Sequence, residues 1–449
     1  MTNAFSLFSS LKDRIARHEA RVTTVGLGYV GLPLALTISE TGFPTTGLDL
    51  NETRVAAINA GERVISYFAE DRIRNAVTGG RFAATQDFAT LAEADVILIC
   101  VPTPLSPARE PDLSYVLGAA EGIAGWLRPG QLVVLESTVW PGATATVVRP
   151  ILERGGLRAG EDFFLAFSPE REDPGNHSFE TRTIPKVVGA DDARSRDLID
   201  LFYSQIVTQT VPVSSLATAE AVKLAENSFR TVNIALVNEM KVALEAMGVD
   251  VWEVVRAAAT KPFGYMPFYP GPGIGGDCIP VSPAYLSWRA RDVGSSLPIV
   301  DLARTNNDNA PDMIAGRVAL EMSKRGGRPV AGARVLILGI AYKKDVEDTR
   351  VSPALAILRR LEAMGALCDF HDPYFPVMPL TRDDPDLAGR RSVPLTDEVV
   401  AGYDAVLVAT DHTRIDYVLV ARSARLLLDT RNVFAARGVV PAEGRFVKI

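Results

Sequence analysis

A short strand, Arg21-Val-Thr-Thr-Val25, runs straight into Gly26-Leu-Gly28-Tyr-Val-Gly31 and then into Leu-Pro-Leu-Ala-Leu, which opens a helix. No other feature limits the fold as much. Strand, glycine turn and helix in immediate succession build the phosphate-binding corner of an open α/β sheet: a tight bend at Gly26, close backbone approach at Gly28 and helix packing at Gly31. The next strand, Thr45 to Leu48, is followed directly by Asp49. A carboxylate there accepts hydrogen bonds from an adenosine ribose and repels a 2′-phosphate, so these residues favour NAD over NADP.

Further strands are expected at Asp95 to Val101, Gln131 to Leu135 and Phe163 to Phe167, largely apolar runs of the kind buried in parallel sheets. Each feeds a polar or proline-rich loop. These read Pro102-Thr103-Pro104, then Glu136-Ser-Thr138-Val-Trp-Pro141-Gly142, then Ser168-Pro-Glu170-Arg-Glu172-Asp173-Pro-Gly175. Loops at the carboxyl ends of parallel strands are where such sheets bind ligands. Taken alone, the third is equally well a solvated acidic turn.

The rest of the composition excludes more than it assigns. A chain of 449 residues has room for two or three domains of about 150 residues each. A net charge of −7 leaves no basic excess to neutralise phosphates, which argues against nucleic acid as a partner. Cys100, Cys278 and Cys368 lie far apart and only four histidines are present, so no zinc site is expected and the usage fits a reducing compartment. Met1 to Ala20 reads as an amphipathic helix, with Phe5, Phe8, Leu11 and Ile15 on its apolar face, rather than as a leader. No apolar run approaches the roughly 18 to 20 residues needed to cross a bilayer. The expectation is a cytoplasmic protein with no membrane partner and no metal.

From about Thr218 the pattern turns helical, with Ala219, Val222, Leu224, Ala225, Phe229, Val232, Ala235, Leu236 and Val237 as its apolar positions. Lys223 and Asn227, one turn apart, share a face. They are either a solvent-facing pair or two donors suited to a developing oxyanion. Tyr269 to Tyr285 then carries four glycines and two prolines ahead of Cys278, too much punctuation for helix or strand. It reads as a shaped loop presenting a thiol, although a lone cysteine can also be a small buried hydrophobe. Helices resume through Asp301 to Asn307 and on to Lys324. A second α/β unit follows, with strands Arg334 to Leu338, Leu367 to Phe370, Ala405 to Ala409 and Leu426 to Asp429, and a helix from about Ser352. Its first turn holds Lys343, Lys344 and Arg350 where the first unit has glycines: either a solvated basic turn or a cradle for nucleotide phosphates. The fold class expected is α/β, two Rossmann-like domains with parallel sheets joined by a long central helix. The segments are 1–212, 213–325 and 326–449.

Taken together, the motifs resemble the nucleotide-sugar 6-dehydrogenase family, the UDP-glucose and GDP-mannose dehydrogenases. The resemblance runs in order through Val25 to Pro33, Val101 to Pro104, Pro111 to Tyr115, Glu136 to Val139 and Ser168 to Arg171. It continues through Ala219 to Asn227, the Cys278 loop, Tyr342 to Arg350 and Asp429 to Asn432. Ser168 to Asn176, Thr181 to Gly189 and the Phe-Tyr-Pro-Gly-Pro-Gly run at Phe268 to Gly273 resemble the branch acting on UDP-N-acetylhexosamines. UDP-N-acetylglucosamine is the first expectation and UDP-N-acetylmannosamine the second, with UDP-glucose a further alternative.

The resemblance implies oxidation of the sugar C6 alcohol to a carboxylate by two hydride transfers to NAD, through a Cys278 thiohemiacetal and thioester. It implies that Lys223 and Asn227 stabilise the C6 oxyanion while Thr138 and Glu170 position a water. Cofactor contacts are implied for Gly26, Gly28, Tyr29, Val30, Gly31, Asp49, Arg54, Thr103, Thr138 and Arg350. UDP-sugar contacts are implied for Glu170, Arg171, Lys223, Asn227, Tyr269, Gly273, Lys343 and Arg431, and a homodimer or higher homo-oligomer as the assembly. Two positions depart from the family pattern. Where it places an aspartate four residues after the cysteine this chain has Ser282, and where this branch commonly has histidine before the cysteine it has Asp277. Serine is no anionic base at neutral pH, and a carboxylate beside the sulfur would lower its reactivity. An alternative is therefore a catalytically impaired homologue that binds nucleotide sugar.

Overall fold

The computed structural model describes residues 4–65, 68–69, 71–172, 181–276, 278–381 and 384–449. Asp277, and the Asp173 to Gly175 end of the acidic loop, lie outside the described residues. The chain divides into two compact units: Met1–Glu226 with Ala284–Ser296, and Asn227–Pro283 with Leu297–Ile449.

The first unit is built on an eight-stranded sheet. Its strands are β1 (Val22–Val25), β2 (Thr45–Leu48), β3 (Phe82–Thr85), β4 (Val96–Ile99), β5 (Leu132–Leu135), β6 (Phe164–Phe167), β7 (Lys186–Gly189) and β8 (Thr210–Val213). They lie in the order β3-β2-β1-β4-β5-β6-β7-β8. Chain order reverses at β1, between β2 and β4, which is where doubly wound sheets open a crevice at their carboxyl ends. The apolar runs were legible because both sheet faces are covered: β1, β4, β5 and β6 are buried along their whole length. Pairing is parallel except at β6 and β7, which meet antiparallel with Phe167 opposite Gly189. The N-terminal helix runs Ala4–Ala16 and packs Leu11 and Ile15 into a core with Leu198, Ile199 and Phe202. Phe5, expected on that face, is exposed in the helix's first turn.

The second unit carries an all-parallel sheet in the order β10-β9-β11-β12-β13, with β9 (Arg334–Leu338), β10 (Leu367–His371), β11 (Ala405–Val408), β12 (Leu427–Asp429) and β13 (Phe446–Lys448). A helix, Pro353–Ala363, capped by the Ser352 side chain, buries Leu355, Ile357, Leu358 and Leu361 against β9 and its neighbours.

The long helix spans Leu216–Ala246. Its buried face agrees with the expectation at Ala219, Leu224, Ala235 and Val237 and differs from it elsewhere. Phe229, Leu236 and Ala225 are exposed, whereas Leu216, Ala219, Glu220, Lys223, Leu224, Asn227, Ser228 and Thr231 are buried. The i, i+3, i+4 spacing of that stripe is helical, but half of it is polar, and hydrophobic periodicity registers only its apolar half. The glycine-rich stretch also stops sooner than expected: Ser282 opens a helix, Ser282–Asp292, because Pro283 fits its first turn, where a missing N–H costs nothing.

Candidate active site

In the first unit the glycine turn has the geometry of a dinucleotide corner. Gly26 sits at φ +94°, a left-handed conformation open to glycine. A Cβ at Gly31 would stand 1.8 Å from the Gly26 carbonyl oxygen, so helix and turn touch there with no space for a side chain. At Gly28 nothing lies within 4 Å of where a Cβ would be, which leaves the backbone open to a ligand. The helix Gly31–Glu40 has Val30 at its N-cap and no side-chain cap, and such an N-terminus suits a pyrophosphate. Asp49 closes the corner, accepting from the backbone N–H of Leu27 at 2.8 Å and of Asn51 at 2.8 Å, with Arg54 at 3.2 Å. These residues fit NAD: a cradle without side chains for the phosphates and a carboxylate at the end of β2 for the ribose. Tyr29 is exposed and Val30 half-buried beside the turn.

The loops after β4, β5 and β6 are tied to one another. The Ser137 hydroxyl accepts from Val101 N–H at 3.0 Å and donates to the Val101 carbonyl at 2.7 Å, fixing the approach to half-buried Thr103 and Thr138. Glu220, on the long helix, accepts from the N–H groups of Gly142 and Thr144 and so holds the far end of the Thr138 loop. Burial raises the Glu220 carboxyl above its usual range. Arg171 donates to the Pro185 carbonyl at 2.7 Å and pairs with Glu226.

Glu170 lies at the edge of a buried ionic cluster. Lys186 Nζ is 2.6 Å from Glu136 Oε2 and 3.7 Å from Glu170 Oε2, and the Tyr203 hydroxyl donates to Glu136 Oε1. Burial pushes Glu136 up to about 7, with Lys186 opposing. For Lys186, burial would lower the ammonium, but Glu136 and Glu170 outweigh it and hold it above its usual range. Burial, reinforced by Glu170, pushes Glu172 up to about 8.

In the second unit Cys278 is exposed, as a presented thiol would be and a small core residue would not. Its carbonyl accepts from Ser282 N–H at 3.0 Å, the first turn leading into the helix Ser282–Asp292. Asn227 Nδ2 donates to Ser282 Oγ at 2.9 Å, and both side chains are buried, at 4% and 1% exposure. Three residues of the long helix thus hold the cysteine loop: Asn227 through Ser282, Thr231 through the Ile279 carbonyl, and Asn238 through Gly271 N–H. Lys223, one turn before Asn227, is 7% exposed, so a solvent-facing lysine is excluded.

The same loop lies against the turn after β9. Gly276 N–H donates to the Arg350 carbonyl at 3.0 Å, and a Cβ at Gly275 would stand 2.5 Å from the Tyr342 Cβ. At Gly271 a Cβ would stand 2.7 Å from an Arg431 guanidinium nitrogen. Gly273 holds φ +136° beside Pro353, and Tyr269 is exposed. Arg431 donates Nε to the Ala409 carbonyl, and burial lowers its guanidinium against the opposing pull of Asp411 and Asp429. Arg350 is bidentate on Asp348, while Lys343 is half-buried in a turn whose Asp345 N–H donates to His412 Nδ1 at 2.9 Å. Glycine loop, Arg431 and the Lys343 turn therefore form one neighbourhood suited to a diphosphate.

Glu136, Lys186 and Glu220 escaped the sequence reading. The signal for Glu220 was available in the polar helical stripe; for the other two, an ionisable residue directly after or opening an apolar strand is the only trace. Among the described residues no group of side chains is arranged to hold a metal ion, and no helix is long and apolar enough to cross a membrane.

Comparison with known proteins points the same way. Three models of the UDP-glucose/GDP-mannose dehydrogenase family match in order: the NAD binding domain at residues 20–207, the central domain at 217–309 and the UDP binding domain at 336–437. A UDP-N-acetyl-D-glucosamine 6-dehydrogenase of Pseudomonas aeruginosa is 36% identical over 79% of this chain and 83% of its own. One of Salmonella typhi is 32% identical over 96% and 99%. The structure of a UDP-D-ManNAc dehydrogenase from Pyrococcus horikoshii superposes with a TM-score of 0.86 at 31% identity, over 96% of this chain and 99% of that one.

Proposed function

The chain belongs to the UDP-glucose/GDP-mannose dehydrogenase family, whose members are NAD-dependent, and on that premise we propose that it oxidises the C6 alcohol of UDP-N-acetylglucosamine to the uronic acid through a covalent Cys278 intermediate. The observation that carries this reading is the exposed Cys278 on a turn pinned to the long helix by the buried Asn227–Ser282 hydrogen bond. NAD, when bound, supplies a hydride acceptor for each of the two oxidations. Lys223 and Asn227 hold the C6 oxygen and stabilise its negative charge as each hydride leaves. Between the oxidations the Cys278 sulfur adds to the aldehyde carbon, giving a thiohemiacetal whose oxidation yields a thioester. Thr138 and Glu170 orient the water that replaces sulfur at the carbonyl, and Glu170 takes its proton. Arg431, Lys343 and the glycine loop bind the diphosphate.

Ser282 bears on whether the chain is a working enzyme. A serine cannot supply the charge of an aspartate, but here it supplies the acceptor that Asn227 needs. We expect Ser282→Ala to strand a buried amide at a cost of about 1–3 kcal/mol and to lower kcat by roughly ten- to a hundredfold as Asn227 loses its orientation. Ser282→Asp, which restores an acceptor, should stay within about tenfold of wild type. Wild-type melting temperature and kcat in Ser282→Ala would show the bond to be idle.

Initial rates with UDP-N-acetylglucosamine, UDP-N-acetylmannosamine and UDP-glucose test the substrate. The 2-acetamido sugars should exceed UDP-glucose in kcat/KM by roughly a hundredfold, and the gluco epimer should lead, since a site that hydrogen-bonds a substrate group rejects an analogue lacking it. Preference for the manno epimer would reassign the substrate within the same mechanism. Preference for UDP-glucose would contradict the branch.

A further inference from the structure

The antiparallel junction of β6 and β7 has a chemical consequence. Ligands gather at the carboxyl ends of parallel strands, and a residue opening a parallel strand lies at the other edge of the sheet. β7 runs the opposite way to β6, with Phe167 opposite Gly189. Lys186, its first residue, is thereby delivered to the ligand edge, beside the Glu170 loop. The Ser168 hydroxyl donating to the Val187 carbonyl at 2.9 Å keeps that register.

There the Lys186 ammonium has three oxygens around it: Glu136 at 2.6 Å, the Pro169 carbonyl at 3.5 Å and Glu170 at 3.7 Å. The Tyr203 ring lies beneath it at 5.0 Å from the centroid. Lys186 and Glu136 are buried, while Glu170 is the member of the group that reaches toward solvent. The remaining ionisable groups facing the cluster are Cys100 from the end of β4, Glu172 from the same loop and, toward Glu172, Arg72; Arg171 is turned away onto Glu226. An ion pair removed from water adds little net stability compared with apolar packing, so a pair in this place is better explained by what it does to its neighbour.

We propose that Lys186 is a positioning residue for Glu170: anchored by Glu136 and screened by Tyr203, its ammonium holds the Glu170 carboxylate in place, ready to accept the proton of the hydrolytic water. The inference rests on the reading of Glu170 given above. In keeping with it, burial and the charge of Glu170 push Glu136 up to about 7 even with the ammonium present, so without the ammonium two carboxylates would face each other with no cation between them.

The test is the pH dependence of kcat for NADH formation from UDP-N-acetylglucosamine in wild type, Lys186→Met, Lys186→Arg and Glu136→Gln, alongside melting temperature. In Lys186→Met we expect KM for the sugar within about threefold of wild type, kcat down roughly a hundredfold, and the acidic limb displaced upward by about one pH unit. Lys186→Arg should return most of that loss. Glu136→Gln should displace the limb downward, since it leaves the ammonium to Glu170 alone, and this opposite sign is not expected of a merely structural pair. If Lys186→Met does not fold, the other two variants carry the test. Limbs that superimpose on wild type in every variant that folds, whatever the melting temperatures, would overturn the proposal. No NADH from wild type with any UDP-sugar would remove the functional reading and the proposal with it, whereas turnover with unmoved limbs would remove the proposal alone.

Discussion

Replacing Cys278 by alanine is expected to abolish uronic acid formation, lowering its rate by about four orders of magnitude or more, while NAD binds as before. The expectation follows from where the thiol is. Cys278 is exposed on a turn whose backbone is fixed at both sides, by Ser282 to the long helix and by Gly276 to the Arg350 carbonyl. Removing the sulfur therefore removes the nucleophile without disturbing a core. The dinucleotide corner belongs to the other compact unit, so the NAD titration should be unchanged. A weak release of aldehyde with one NADH per sugar is compatible with the loss, because the first oxidation requires no sulfur. Acid formation by Cys278→Ala at more than a tenth of the wild-type rate would exclude the covalent route.

Gly31→Ala should be nearly as damaging, at the other substrate. A methyl group at Gly31 would lie 1.8 Å from the Gly26 carbonyl oxygen and 3.0 Å from the Cys100 Cβ, the first of these being backbone that cannot swing aside. The helix Gly31–Glu40 must then lift from the turn, at an overpacking cost of about 1–3 kcal/mol or more, and NAD affinity should fall by at least about a hundredfold as the helix N-terminus moves off the pyrophosphate. Gly28→Ala separates stability from binding. Nothing lies within 4 Å of a Cβ there, so its melting temperature should match wild type while the methyl group still obstructs the phosphates. Wild-type NAD affinity in Gly31→Ala would mean that the cofactor lies elsewhere.

Much of the scaffold was legible because burial on both faces of a parallel sheet leaves an unmistakable record. β4, β5, β6 and β9 appear in the chain as apolar runs and β1 as the strand ahead of the glycine turn, and the observed ends of all five fall within two residues of the expected ones. Short strands of mixed exposure left no such record. β8, Thr210–Val213, contains Pro212 and is partly exposed throughout, as suits an edge strand, and β3 alternates buried and more exposed residues. The larger difference concerns polar burial. The inward face of the long helix includes Glu220, Lys223, Asn227, Ser228 and Thr231, and Glu220, Asn227 and Thr231 are held by partners distant in sequence: the backbone of Gly142 and Thr144, the Ser282 hydroxyl and the Ile279 carbonyl. Hydrophobic periodicity cannot register a stripe of that kind.

The same limit applied to Ser282 and Lys186. By residue type Ser282 looks like the loss of an acid, yet its hydroxyl keeps the hydrogen bond that orders Asn227. Lys186 looks like a surface lysine ahead of a short apolar run, and only the antiparallel turn of β7 carries it to Glu170.

The reaction proposed is a double oxidation of one carbon by a chain that has serine in place of the usual aspartate. The most direct test is the ratio of NADH formed to UDP-N-acetylglucosamine consumed at limiting sugar, with mass analysis of the product. Double oxidation should give two NADH per sugar and a product heavier by the change from alcohol to acid. One NADH per sugar, with free aldehyde or a thiohemiacetal held on Cys278, would contradict it.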